Sequence, residues 1–338
     1  MKPGPACKKV FFLFLITLIA FSFLSCASGG VIKAEELFSI GMAYYELGQN
    51  IEKNRDKYFG EAEKWLNRAR AMDKTMTASD YNLGRIAFET GRYEEAAINF
   101  ERIMIKDPDN VMALKAAAYS RIKNGNLDKA EAHYTRVLEL VPESADDGYN
   151  YALVLYGLEK FDRSEEVLNK YPYALEGNAA SMLLLARAQK EQRKVEAIDS
   201  YAKWTASASP ANPQGLYEYA MVLEDAGLYA KALEQYRTAI TAITKDTAVL
   251  KKSSLMFEEA RLFFIADPEN AEAVAKLKTA VTEGFSDIEA IRDLLADERI
   301  TNENKIEIRK IIDGIVNKDK VKEENTETAD EEEQAAKT

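Results

Sequence analysis

Histidine and cysteine, two residue types that often carry acid–base and covalent chemistry, are rare in this chain. The sequence has one histidine, His133, and two cysteines, Cys7 and Cys26. His133 lies beside Tyr134 without a serine or cysteine motif to activate, and there is no glycine-rich phosphate loop, serine elbow or paired-histidine motif. The many carboxylates follow the spacing of a solvated helix surface. We therefore expect no enzyme, no cofactor and no metal, and we expect His133 to be a packing or surface residue.

Cys26 is the residue for which the sequence most clearly indicates a chemical role, because it directly follows a segment that has the features of an export signal. Three lysines precede an apolar run over residues 10–24, and Ser25 comes directly before the cysteine. The run is shorter than the ~20 residues that a stable bilayer span needs. A basic start, an apolar centre and a small residue at the cut site are typical of a signal peptide. We predict a signal peptide over residues 1–25.

The four residues that end at Cys26, FLSC, resemble the lipobox of bacterial lipoproteins. In that class signal peptidase II cuts before the cysteine, and the cysteine carries the lipid. The resemblance implies that Cys26 is lipidated, that residues 26–33 form a linker, and that the protein is anchored to a bacterial membrane, expected to be the outer membrane facing the periplasm. A secreted protein cleaved near Ser28 and an uncleaved anchor are the alternatives. Because Cys7 would be removed, no disulfide or thiolate metal site is expected.

Small residues repeat through the body of the chain and must organise it. They recur at steps of 33 to 35 residues, at Ala62, Ala96, Ala130, Ser164, Ala197 and Ala232. A unit of ~34 residues with two amphipathic helices cannot bury its apolar faces alone, so successive units must stack. The period predicts an all-α solenoid of stacked antiparallel helix pairs, whose inner surface is available to a partner.

The stretch 81–108 resembles a tetratricopeptide repeat along its whole length. In that family Gly84 and Ala96 stand where the two helices approach closely, Gly91 permits the tight turn, and Pro108 ends the second helix. The resemblance implies a right-handed α-solenoid, which acts as a binding scaffold.

The repeat pattern divides the chain into predicted segments. Six tetratricopeptide-like repeats are predicted within residues 34–246, with the bounds 34–76, 77–110, 111–144, 145–178, 179–212 and 213–246. A degenerate repeat and capping helices are predicted over residues 247–316, because an open array end exposes apolar surface. Residues 317–338 are acidic and are predicted to form a disordered tail. The first repeat carries an insert at 50–58, which we interpret as lengthened helices or a solvated loop, with a binding loop as the alternative.

The same resemblance places partner-binding residues on the first helix of each pair, which lines the concave face in this family. Carried over position by position, the candidates are Tyr81, Arg85, Phe88, Lys115, Tyr119, Lys123, Tyr149, Tyr156, Arg187 and Tyr217. Tyrosine offers a large, rigid contact area and a hydroxyl at low entropy cost. The basic members favour an extended or helical peptide with some negative charge. Packing within the array is the alternative role for any one of the tyrosines.

Charge narrows the class of partner. The net charge of −11, without a basic stripe, excludes nucleic acid as a partner. We therefore predict a membrane-anchored periplasmic scaffold that binds a protein or peptide in its concave groove, as part of an envelope assembly. An accessory lipoprotein of a periplasmic solute transporter is the alternative, and a structural spacer without a dedicated partner is a third possibility. The oligomeric state stays open.

Overall fold

The computed structural model describes residues 33–171, 178–207, 212–245 and 250–317. The chain forms two compact units, Met1–Tyr173 and Ala174–Thr338. The predicted signal peptide, the predicted lipidation site Cys26, the predicted linker up to residue 32 and the tail from residue 318 lie outside the described residues. Within the described part, no helix has both the length and the apolar character that a membrane span needs.

The first compact unit is built from helices that follow one another in pairs. They are α1 (Ala34–Asn50), α2 (Arg55–Met72), α3 (Thr77–Glu89), α4 (Tyr93–Lys106), α5 (Val111–Lys123), α6 (Leu127–Leu140), α7 (Ala145–Gly157) and α8 (Phe161–Lys170). A 3₁₀ turn, Glu52–Asn54, joins α1 to α2. The insert thus lengthens the first pair: α1 and α2 have 17 and 18 residues, against 13 and 14 in α3 and α4.

Close approach of small and large side chains fixes how the two helices of a pair pack. Gly41 of α1 meets Leu66 of α2, while Gly48, further along α1, meets Phe59, which comes earlier in α2. This reversed order of contacts shows that the two helices run antiparallel. The small residues that set the period are fully buried at the pair interfaces, at Ala62, Ala96, Ala130 and Ser164. The prediction of an all-α array of antiparallel helix pairs is confirmed.

The turn inside a pair uses a residue in the left-handed region of the backbone. Glycine occupies it at Gly91, Gly125 and Gly227, with φ of 78°, 74° and 73°. Glu159 and Arg193 adopt the same conformation, with φ of 59° and 57°, although a side chain there costs about 1 kcal/mol. The packing of the flanking helices therefore sets this geometry even where the residue type opposes it.

The second compact unit continues with further helices. They are α9 (Ala179–Glu191), α10 (Glu196–Ser207), α11 (Pro213–Asp225), α12 (Tyr229–Ala242), α13 (Lys252–Ala266), α14 (Ala271–Thr282), α15 (Ile288–Ala296) and α16 (302–317). Helices α9 to α13 share one core around Tyr201, Trp204 and Leu223. Helices α13 to α16 share a second core, in which Phe264 and Ile308 are fully buried. The apolar side of α16 thus covers the last helices, in the region where capping helices are predicted.

Candidate partner-binding face

The first helices of successive pairs lie side by side in the first compact unit. The hydroxyl of Tyr45 on α1 donates a hydrogen bond to Glu89 on α3. The ring of Phe88 on α3 lies 5.3 Å, centre to centre, from that of Tyr119 on α5. We call the surface formed by the outward sides of α1, α3, α5 and α7 the first-helix face. Eight of the predicted partner-binding residues lie on α3, α5 and α7, whereas Arg187 and Tyr217 lie on α9 and α11 of the second compact unit.

Apolar side chains on this face are open to solvent. Tyr119 is 45% exposed, Met112 is 62% exposed and Leu153 is 41% exposed. Met112 and Tyr119 are seven residues apart on α5, so they lie on one side of the helix. Leu153 belongs to the next first helix, α7. These exposures show that part of the predicted surface is available for contact.

Other predicted site residues are committed to packing inside the array. The ring of Tyr81 lies edge-on to Phe100 at 5.6 Å, and that of Tyr156 lies edge-on to Phe161 at 5.2 Å. Tyr149 is half-buried. Because these rings join the two helices of a pair or are shielded by them, they offer a partner less surface than Tyr119 does.

Two basic candidates lie over aromatic rings. The guanidinium carbon of Arg85 is 4.9 Å from the centre of the Tyr45 ring. The ammonium nitrogen of Lys123 is 5.5 Å from the centre of the Tyr119 ring. Such cation–π contacts hold both partners in place, so Lys123 helps to orient the exposed ring of Tyr119.

Two further basic candidates are neutralised within their own compact units. The ammonium of Lys115 lies 2.9 Å from a carboxylate oxygen of Asp147, which is 2% exposed. In the second compact unit, Arg187 donates two hydrogen bonds to Glu218, at 2.7 and 3.1 Å. Two of the four positive charges from which the sequence predicts an acidic ligand are therefore compensated within the protein.

A comparison with protein families agrees with this arrangement. Residues 45–111 and 115–179 match the model of a tetratricopeptide repeat. Both stretches belong to the tetratricopeptide repeat family. Tetratricopeptide arrays are scaffolds for protein–protein interaction, and that general role applies to this chain.

Individual relatives of this tetratricopeptide protein are distant. Over 256 residues it is 24% identical to the CTR9 homolog of Arabidopsis thaliana, and the match covers 60% of this chain but 23% of that protein. A tetratricopeptide repeat protein from Parabacteroides merdae is similar with a TM-score of 0.48 and 22% identity, over 75% of this chain and 97% of that one. The pilF protein of Pseudomonas aeruginosa is similar with a TM-score of 0.46 and 18% identity, over 66% and 98%.

A charged cluster that the tetratricopeptide pattern does not specify lies where α4, α5 and α6 meet. Arg121, on α5, is 1% exposed and pairs with Glu94 and Glu101 of α4. His133 of α6 lies 3.2 Å from Glu101. Arg121 is not among the residues predicted from the sequence, although a charged residue on the packed side of a helix is a signal that hydropathy could have revealed.

This cluster is suited to holding helices together. Burial opposes ionisation of Glu101, but hydrogen bonds from His133 and Arg121 outweigh it and lower its pKa to about 2. The described residues contain no group of three His, Cys, Asp or Glu side chains placed to hold a metal ion. Arg121 and His133 both contact Glu101, so the cluster links α4, α5 and α6.

Proposed function

We propose that this protein is a lipid-anchored scaffold of the bacterial cell envelope, which binds a protein or peptide partner on its first-helix face. The observation that carries the proposal is the exposure of Met112, Tyr119 and Leu153 on neighbouring first helices. Apolar side chains grouped on one face mark interaction surfaces. Tyrosine is also among the residues that contribute most to binding energy at protein interfaces.

The exposed ring of Tyr119 is already held in a binding-ready position. Phe88 packs against one part of the ring, and the ammonium of Lys123 lies over it. A side chain that is ordered before binding loses little conformational entropy when a partner arrives. This order supports the first-helix face as the contact surface and favours Tyr119 as its anchor.

The anchor part of the proposal rests on the residues before the array. Basic residues, an apolar run and the FLSC sequence ending at Cys26 precede it. Each buried methylene of a lipid contributes about 0.8 kcal/mol, so two or more acyl chains hold a protein on a membrane stably. A scaffold held in this way would gather its partner at the membrane surface, as an envelope assembly requires.

Site-specific photocrosslinking tests the binding surface. The photoreactive amino acid p-benzoylphenylalanine replaces Tyr119 or Leu153 in the full chain, in cells of the source organism. Matched controls replace Ile98 and Ile105, which are exposed apolar residues of α4. We expect irradiation to give a discrete adduct from positions 119 and 153 and none from 98 and 105. No adduct, or the same adducts from all four positions, would contradict the proposal.

Lipid labelling tests the anchor. In cells fed radioactive palmitate, the wild-type chain should take up label and sediment with membranes, because Cys26 is the proposed acceptor. The Cys26→Ala variant should be unlabelled and should leave the membrane fraction. Label on the variant would show that Cys26 is not the lipidated residue.

A further inference from the structure

A cavity of about 280 Å³ lies between α11, α12 and α13 in the second compact unit. Tyr217 and Met221 of α11 and Tyr236 of α12 form apolar walls. Tyr217 and Met221 lie on α11, the first helix of its pair, as the residues of the first-helix face lie on the first helices of theirs. The cavity is therefore a place where a single partner side chain could insert.

The polar lining of this cavity carries more negative than positive charge. Three carboxylates, of Glu224, Asp225 and Glu258, line it together with one guanidinium, of Arg261. Arg261 is bound to Glu224 at 2.7 Å and to Glu258 at 2.6 Å. Asp225 is exposed and forms no ion pair with any residue in the described part of the chain. Arg261 thus pairs with both Glu224 and Glu258, and the charge of Asp225 is not neutralised by an ion pair.

The negative field acts on the tyrosines that form the walls. Burial raises the pKa of the Tyr217 hydroxyl, and the charges of Glu258 and Glu224 raise it further, against the opposing effect of Arg261. Burial and the same two carboxylates also raise the pKa of Tyr236, whose hydroxyl donates a hydrogen bond to Glu224 at 3.2 Å. An anion entering the cavity would meet this field and be repelled.

Aromatic and thioether walls with carboxylates match a long basic side chain. The methylenes of lysine or arginine bury against apolar surface while the charged head stays among polar groups. A cation beside a tyrosine ring gains a cation–π contact, and hydrogen bonds to carboxylates are strengthened by charge. Met221, which is 37% exposed, is accessible to such a stem.

We propose that this cavity binds a lysine or arginine side chain of a peptide partner, an inference that rests on the scaffold function proposed above. The occupant is a basic residue, because Tyr217 and Met221 accept its methylenes and Asp225, with the shared pair Glu224 and Glu258, accepts its charge. The cavity would then select which peptides the scaffold holds.

Selection from a random peptide library tests this assignment. The full chain, held in nanodiscs, is panned against phage that display random dodecapeptides. The test variant is Asp225→Asn with Glu258→Gln, and the control variant is Glu234→Gln with Glu283→Gln, two exposed acids outside the cavity. Both variants lose the same charge. Circular dichroism checks folding, and Asp225→Asn alone, at an exposed helix end, replaces the test variant if the double change unfolds it.

Peptides selected by the wild type and by the control should share an enriched lysine or arginine, which the test variant no longer selects. A selected peptide should bind the test variant about tenfold more weakly, as expected for loss of a charged hydrogen bond. Selected peptides without a basic residue, or the same enrichment with the test variant, would overturn this assignment and leave the scaffold function intact. Failure to select any peptide above empty nanodiscs would contradict the scaffold function as well.

Discussion

The guanidinium of Arg121 forms two hydrogen bonds with the carboxylate of Glu101, at 2.8 and 2.7 Å. Arg121 is 1% exposed, and a buried charge is costly unless its donors are satisfied. Glu94 accepts the remaining guanidinium contact, and His133 approaches Glu101 from α6. This cluster connects α4, α5 and α6 and so joins two successive helix pairs.

Removal of the guanidinium should destabilise the first compact unit. Arg121→Met keeps the apolar stem of the side chain but leaves the partly buried carboxylate of Glu101 without its main counter-charge. We expect the free energy of unfolding to fall by about 3 kcal/mol, measured by urea denaturation followed by circular dichroism. The control is Arg292→Met, since Arg292 is 52% exposed and pairs with Glu289 one turn away; its effect should stay within about 0.5 kcal/mol. Equal effects would contradict a special role for Arg121.

The same cluster predicts how stability depends on pH. In the folded chain the pKa of Glu101 is about 2, below its ordinary value of 4.5. A carboxyl group with a lowered pKa stabilises the fold above its unfolded pKa, and this contribution is lost as the pH falls towards the folded pKa. The stability advantage of wild type over Glu101→Gln should therefore be full above pH 5 and shrink between about pH 4.5 and 2. Urea titrations at stepwise pH measure it, and a constant difference would contradict the prediction.

The helix pairs could be predicted from the sequence because their cause is steric and local. A small residue is needed at each helix crossing, so Ala62 and Ala96 recur at a fixed step and reveal the array. The turn position is predictable for the same reason, even though Glu159 and Arg193 stand there instead of glycine. In both cases the backbone geometry of one repeat determines the residue or its conformation.

Which candidate residues are exposed to solvent, and which are held in packing contacts or ion pairs, could not be predicted from the sequence. It depends on side chains that come from another repeat, such as Asp147 beside Lys115, or Phe88 beside Tyr119. A position in a repeat defines the side of a helix, but the neighbour that reaches it is set by the stacking. The buried pairing of Arg121 escaped prediction because its partners lie 20 and 27 residues away.

Two glycines should respond oppositely to alanine. A Cβ atom at Gly84 would lie 2.7 Å from the ring of Phe100, whereas one at Gly60 would meet nothing within 4 Å. Gly84→Ala should cost about 1–3 kcal/mol through overpacking. Gly60→Ala should stabilise by about 0.5–1 kcal/mol, because alanine favours the helix interior. Urea midpoints of the two variants measure these changes in stability. If both variants shifted the midpoint in the same direction, the close approach of Gly84 to Phe100 would be contradicted.

Substitution of Lys115 distinguishes between a structural role and a partner-binding role for this residue of the first-helix face. Lys115 neutralises Asp147, which is 2% exposed and also accepts a hydrogen bond from Ser144 at 2.5 Å. Lys115→Met should therefore lower the free energy of unfolding by about 2 kcal/mol, since it leaves a buried carboxylate without a cation. Lys123→Met, at an exposed position over Tyr119, should change stability by less than about 0.5 kcal/mol.

The second substitution Asp147→Asn distinguishes the causes, because it removes the buried charge that Lys115→Met leaves unpaired. If the ion pair of Lys115 and Asp147 is structural, the double variant should recover part of the stability that Lys115→Met loses. Thermal and urea unfolding of the wild type, the two single variants and the double variant would measure this coupling. If Lys115 instead serves the partner, Lys115→Met should leave stability unchanged and should weaken crosslinking from position 119. Because the ammonium of Lys115 lies beside a buried carboxylate, we expect the structural outcome. Contact with the partner is then made by Tyr119 and its exposed apolar neighbours.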